Sequence, residues 1–229
     1  MKQHLITAAL ALVFGFLGAG IWQVSGAGDS FTRTYLIENA DVLPEMAQRL
    51  QRMEMEKQLA GAGDATQPFP GAIIGNPNGS KTIVEFTDYA CGYCRQTAPE
   101  LAEMVAADPE LKIVIREWPI FPGSENSARM ALAAAKQGKY RAFHDALFAK
   151  GPPTTETIRA AATEAGLDME RAQADGLSPE VTQELMQNMQ LAQAYGFSGT
   201  PSFVINGRPY EGAIGRAALE RAVDQPADS

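Results

Sequence analysis

"KTIVEFTDYACGYCRQTAPEL", residues 81–101, contains the only two cysteines of the 229-residue chain, three positions apart. The run 81–87 is short, β-branched and apolar, the pattern of a buried strand, and "RQTAPELAEMVAA" (95–107) has helical spacing. Cys91 therefore falls at a strand-to-helix turn. A helix start presents unpaired amide N–H groups and the positive end of the helix dipole, and both stabilise a thiolate. Cys94 lies one turn further on. A three-residue offset puts the two side chains on the same helix face, within reach of a disulfide. In disulfide exchange, such a pair supplies one thiol that attacks and one that resolves the mixed disulfide.

Ligand count limits the other uses of the pair. Structural zinc takes four ligands, and beyond the cysteines the chain offers only His4, in the N-terminal apolar stretch, and His144, far along in a helical region. That argues against zinc, and no metal or cofactor is expected. A two-coordinate Cu(I) site needs only two thiolates and stays open. An inert pair of core cysteines is the bland alternative, but a chain of this length builds a core without disulfide staples, which leaves its thiols free for chemistry. The formal net charge is −8 and there is no Lys/Arg-rich run, so the electrostatic footprint of nucleic-acid binding is missing.

Outward from the motif, "LKIVIRE" (111–117) reads as a second buried strand and completes a β-α-β unit. From about 124 to 195 the pattern is helical throughout, with Thr154 or Thr155 capping one helix and Ser178 another, the latter followed by Pro179 at the first helical position. Strand character returns in "PSFVING" and "RPYEG", joined by Asn206-Gly207, a favoured hairpin pair. A helix, "GRAALERAV", follows. A β-α-β unit and a β-β-α unit sharing one sheet is the α/β arrangement of the thioredoxin fold, here with a helical block inserted over about 124–195.

The N-terminus divides into two further parts. Residues 1–27 read as an export segment: Leu5 to Val24 are almost wholly apolar, after Lys2 and before "SGAGDS". Cleavage after Ala27 and retention as a membrane anchor (residues 5–24) both remain open, since about 20 apolar residues span a bilayer. Either outcome delivers the remainder outside the cytoplasm, where disulfides persist. Residues 28–65 carry an amphipathic helix with Asp41 as cap, Pro44 in its first turn and a narrow seam of Leu43, Met46, Leu50 and Met53. The seam fits packing against other copies or against the chain's own domain. "GAGDATQPFPGAIIGNPNGS" (61–80) reads as linker and turns, which starts the main domain at about residue 66.

"VEFTDYACGYCRQTAPEL" (84–101) together with "GFSGTPSFVINGRPYEGA" (196–213) resembles the DsbA-like branch of the thioredoxin superfamily, and "TYLIENADVLPEMAQRLQRME" (34–54) is similar to the N-terminal domain of the copper-sensitivity suppressor ScsC proteins. The resemblance covers nearly everything after the export segment. It implies an enzyme, a protein thiol:disulfide oxidoreductase, in which Cys91 is the nucleophile, Cys94 the resolving thiol and Gly92-Tyr93 the dipeptide between them. It further implies that Thr200-Pro201 is a cis-proline loop that faces the cysteines and pairs with substrate backbone. Glu85, six residues before Cys91, matches an acidic position that relays protons to the buried cysteine, although a strand residue facing solvent is an equal reading. The family's strongly oxidising members carry Pro-His where this chain has Gly92-Tyr93. That departure points to the isomerase and reductase side, with a DsbA-like oxidase as the alternative and a Cu(I)-binding or holdase-type protein as the alternative of another class. The implied partners are cysteine-containing exported proteins, a membrane redox partner that resets the pair, and further copies of the chain in a homo-oligomer, a trimer by resemblance. The implied location is the periplasm, soluble or anchored to the inner membrane.

Overall fold

The computed structural model describes Phe14 and residues 27–226, so apart from Phe14 the export segment expected over 5–24 lies outside the described residues. Among the described residues no helix is long and apolar enough to cross a membrane. The chain divides into two compact units, one ending at Glu56 and the other beginning at Lys57.

The first unit contains a helix the sequence reading missed, α1 (Ala27–Glu38), and most of α2 (Val42–Ala62). Asn39 breaks the two apart, with its backbone N–H and its side-chain amide both donating to the Tyr35 carbonyl at 2.9 Å. Asparagine competes for backbone acceptors in this way and so favours helix ends. Pro44 falls in the first turn of α2, as expected. Leu43, Met46, Leu50 and Met53 stand exposed along α2, and Tyr35 and Ile37 stand exposed on α1.

The second unit is built on a five-stranded sheet of order β1-β3-β2-β4-β5, from β1 (Ile73–Gly75), β2 (Lys81–Thr87), β3 (Leu111–Glu117), β4 (Ser202–Ile205) and β5 (Arg208–Glu211). β2 and β3 run parallel, joined through α3 (Gly92–Ala107), and the other neighbours are antiparallel. This is the expected thioredoxin arrangement of the α/β class. β1 lies within the stretch read as linker and turns. Three residues are too few to show a period, but Ile74 and the adjoining Ala72 are buried beside β3, where pairing with Val114 and Ile113 covers the sheet edge.

Side chains of β2 and β3 alternate cleanly. Ile83, Ile113 and Ile115 pack in the cluster that includes both cysteines, while Val84, Phe86 and Val114 pack on the opposite face with Trp118 and Phe197. Between β3 and β4 lies the helical insertion: α4 (Glu125–Lys136), α5 (Tyr140–Lys150), α6 (Thr155–Glu164), α7 (Met169–Gly176) and α8 (Pro179–Ala194). Thr154 caps α6 through a reciprocal box with Thr157, and the Ser178 hydroxyl caps α8 by accepting from Val181 N–H at 3.3 Å. Asn206 (φ 52°) and Gly207 (φ 78°) turn β4 into β5; both lie in the left-handed region that a two-residue type I′ hairpin requires. α9 (Arg216–Asp224) returns to the sheet and buries Leu219 and Ala222.

Candidate functional site

Cys91 is the N-cap residue of α3. It has extended backbone (φ −77°, ψ 121°) and its Sγ accepts from Cys94 N–H at 3.5 Å. The same sulfur donates to the Thr200 carbonyl oxygen at 3.1 Å, and the Thr200–Pro201 bond is cis. The loop before β4 thus meets the start of α3, bringing together four of the residues singled out from sequence across more than a hundred positions. Both cysteines are free thiols and both are buried, while Gly92 and Tyr93 face solvent, Tyr93 with 63% of its surface exposed. Burial holds the Cys94 thiol far above its ordinary range, and the charge of Glu85 pushes it further in the same direction.

Glu85 does not face solvent. It is 1% exposed, on the sheet face shared with Ile83 and the cysteines, and burial raises its carboxyl from 4.5 to about 8. Its Oε2 has no hydrogen-bond partner among the described residues. The Thr87 hydroxyl lies close enough to favour the charged forms of both Glu85 and Cys94, but it completes no hydrogen bond of normal geometry.

Three further groups at the site were not singled out from sequence. Asp88 ties the turn to the loop after β3: its Oδ1 accepts from Ala90 N–H, and its Oδ2 accepts from Ile120 N–H, Phe121 N–H and the Ser124 hydroxyl. Glu117, at the end of β3, is fully buried and accepts from the hydroxyls of Tyr89 (3.1 Å) and Tyr140 (2.6 Å). His144, whose Nδ1 lies 3.1 Å from the Tyr89 hydroxyl, is buried and its pKa is pushed down to about 3. The nearest signal in the sequence was the charge of "RE" at the end of an otherwise apolar strand. Among the described residues, no group of three or more His, Cys, Asp and Glu side chains could hold a metal ion.

Buried carboxyls make a testable statement about stability. Glu85 and Glu117 both titrate near 8 in the fold against 4.5 when exposed, so between those values the native chain holds protons that the unfolded chain has lost. Their stabilising contribution is complete below 4.5 and is lost as pH rises through 8. His144 works in the opposite sense and lower down, its contribution disappearing as pH falls from 6.5 toward 3. Urea unfolding midpoints should therefore fall from pH 6.5 to pH 8.5, and Glu85→Gln should flatten that slope. A midpoint that does not change over this range would mean the two carboxyls are not protonated in the fold.

A thioredoxin fold with a Cys-x-x-Cys pair at a helix start, set against a cis-proline loop and split by a helical insertion, defines a class of thiol chemistry. The chain belongs to the DSBA-like thioredoxin domain family, whose model matches residues 82–224. Among solved structures it is similar to a thioredoxin-like oxidoreductase from Silicibacter pomeroyi DSS-3, with 46% identity and a TM-score of 0.65, over 70% of this chain and 93% of that one. A periplasmic thioredoxin-like protein from Salmonella enterica serovar Typhimurium matches at 29% identity and a TM-score of 0.60, over 74% and 93%. The catalytic domain of Proteus mirabilis ScsC matches at 25% identity and a TM-score of 0.64, over 73% and 95%. Among curated proteins, the Na(+)/H(+) antiporter NhaA 3 of Salinispora tropica is 28% identical over 193 residues, 78% of this chain but only 29% of the antiporter, so the chain spans under a third of that relative's length.

Proposed function

We propose that the chain is an exported thiol:disulfide oxidoreductase acting on cysteine-bearing proteins of the periplasm, with Cys91 attacking, Cys94 resolving and Glu85 receiving the Cys94 proton. The observation that carries this reading is the Cys91 Sγ at the start of α3, 3.1 Å from the Thr200 carbonyl oxygen, with the Cys94 thiol buried one turn behind it. The Cys91 thiolate attacks one sulfur of a client disulfide; that S–S bond breaks, a Cys91–client disulfide forms, and the other client sulfur leaves as thiolate. Cys94 then gives its proton to the Glu85 carboxylate, and its sulfur displaces the client from Cys91. The client gains two electrons and the pair becomes a disulfide, which a membrane redox partner reduces again. If a second client thiol attacks the mixed disulfide first, the client leaves rearranged and the pair stays reduced. The loop at Thr200-Pro201 lies where an extended client strand can pair beside Cys91.

Isomerisation and reduction are favoured over net oxidation. Exposed Tyr93 brings no cationic ring to the Cys91 sulfur, unlike the histidine of the strongly oxidising dipeptide. The experiment is the reduction potential of the Cys91/Cys94 couple, with an assay that offers scrambled and fully reduced client in parallel. Reshuffling of the scrambled client supports the reading, whereas stoichiometric oxidation of the reduced one selects a DsbA-like oxidase. Tight Cu(I) binding lost on Cys91→Ser, without any exchange activity, selects a copper-binding protein.

The exposed seam Leu43, Met46, Leu50 and Met53 supports self-association through residues 28–65. Exposed methionine and leucine on one helix face need a partner surface, and packing copies together places several CGYC sites around one client. A chain beginning at residue 28 is expected to scatter light as an oligomer at tens of micromolar, and one beginning at Lys57 as a monomer. If the longer chain is monomeric, this arrangement is wrong and the isomerase preference weakens with it.

A further inference from the structure

Among the buried carboxyls that the exchange cycle above leaves unused, Glu117 is the one with two buried phenol donors. Register pairs Thr87 of β2 with Glu117 of β3, so Glu117 lies on the sheet face that carries Glu85, Thr87 and the cysteines. Its Oε1 is the meeting point of two phenol donors, Tyr89 from the turn before α3 and Tyr140 from α5. With Tyr89 donating to Glu117, the 3.1 Å contact to His144 makes the imidazole Nδ1–H the donor to the Tyr89 oxygen, so a single chain of hydrogen bonds runs from α5 to the end of β3. The titratable groups facing Glu117 are Glu85 from β2, Asp88 and Tyr89 from the turn, and Tyr140 and His144 from α5; Cys94 of α3 faces Glu85.

Two carboxyls buried in one apolar layer do not ionise independently: charge on the first disfavours charge on the second. The two sites are unequal. Each carboxyl keeps an Oε2 with no hydrogen-bond partner, but Glu117 Oε1 accepts from two phenol hydroxyls, which favour its anion, while Glu85 has only the nearby Thr87 hydroxyl. The charges of Glu85 and Asp88 raise Glu117, and the two phenols lower it.

We propose that Glu117 is a positioning residue for the CGYC pair: it anchors Tyr89 at the base of the active-site turn and takes the first negative charge of the two carboxyls, thereby delaying ionisation of Glu85, the acceptor of the Cys94 proton. This rests on the proton-relay reading of Glu85. Glu117 itself neither gains nor loses a proton during exchange; its charge sets the pH at which Glu85 becomes a base.

The test follows the two thiol steps separately in the full chain, held in mild detergent and reacted in the dithiol form with 5,5′-dithiobis(2-nitrobenzoate). Attack by Cys91 releases one nitrothiobenzoate, and resolution by Cys94 releases the second. In Glu117→Gln the midpoint of the pH–rate profile for the second release should move down by about one pH unit, the scale on which coupled buried groups interact, while the first release keeps its profile. Tyr140→Phe removes one donor and keeps the carboxyl; it should move the second release in the same direction by less, and it decides the matter if Glu117→Gln does not fold. Glu85→Gln should remove the pH-dependent rise, and adding Glu117→Gln to it should then change nothing. If Glu85→Gln leaves the profile intact, the relay reading fails and takes this proposal with it. If Glu85→Gln removes the rise but neither Glu117→Gln nor Tyr140→Phe moves the midpoint, or if both releases move together, the relay stands and the role given to Glu117 is overturned.

Discussion

Cys91→Ser is expected to lower disulfide exchange by roughly three orders of magnitude or more, to the uncatalysed background, because it removes the group that forms the covalent intermediate. Cys94→Ser should behave differently and accumulate mixed disulfides with clients. The asymmetry follows from position. Cys91 ends the turn and meets the Thr200-Pro201 loop, whereas Cys94 is fully buried and raised by burial and by Glu85, so it is expected to act only on a sulfur already held at Cys91. With Cys94 gone, attack continues and release does not. Non-reducing gels of the exported fraction should show thiol-sensitive adducts in Cys94→Ser and none in Cys91→Ser. The opposite pattern, with adducts on Cys94 when Cys91 is replaced, would reverse the roles. Absence of adducts in both, with abundant reduced protein, would turn the reading toward metal binding.

Much of this site was legible because its signals are local. The CGYC pair, the β-branched runs on either side of α3 and the Asn206-Gly207 hairpin each announce their structure within a few residues. The helix caps Thr154 and Ser178 were equally local. What the sequence hid is non-local. Glu85 sits in a strand buried on both faces, where alternation no longer separates inside from outside, so its burial could not be read from its neighbours. Arg116 and Glu117 look like a charged strand end dipping into solvent; their partners lie 23 to 72 positions away, at Tyr140, Tyr89, Ala65, Glu184 and Asn188. Periodicity carries no information about such partners. α1 and β1 were missed for another reason: the first is a short polar helix that ends in the Asn39-Ala40-Asp41 turn, and the second is shorter than one readable period.

Arg116→Met should destabilise the fold by about 3–5 kcal/mol, the usual cost of leaving one member of a buried ion pair alone, against a total stability of about 5–15 kcal/mol for a domain. Arg116 is 1% exposed, and its guanidinium is fully engaged. Nη1 donates to Glu184 Oε1 at 2.9 Å and to Asn188 Oδ1 at 3.2 Å, both on α8. Nε and Nη2 donate to the carbonyl oxygen of Ala65, and Nη2 also to those of Asp64 and Gln67. One side chain thus fixes the insertion and the segment after α2 to β3. Methionine fills the volume but leaves Glu184 without its cation and three carbonyls without these donors. Burial already raises the Glu184 carboxyl while Arg116 holds it down, so removing the arginine raises it further. The folded variant then keeps a proton on Glu184 that the unfolded chain gives up, and the loss of stability should be greater at pH 8 than at pH 5. Arg116→Lys should recover little, since an ammonium cannot span a carboxylate, an amide and three carbonyls in the guanidinium's plane. Arg116→Met combined with Glu184→Leu should recover part, because the stranded charge is removed along with its partner. Urea curves followed by near-ultraviolet circular dichroism measure all three variants. A single-variant loss under about 1 kcal/mol, the range of an exposed pair, would show that the guanidinium is not the clamp its contacts describe.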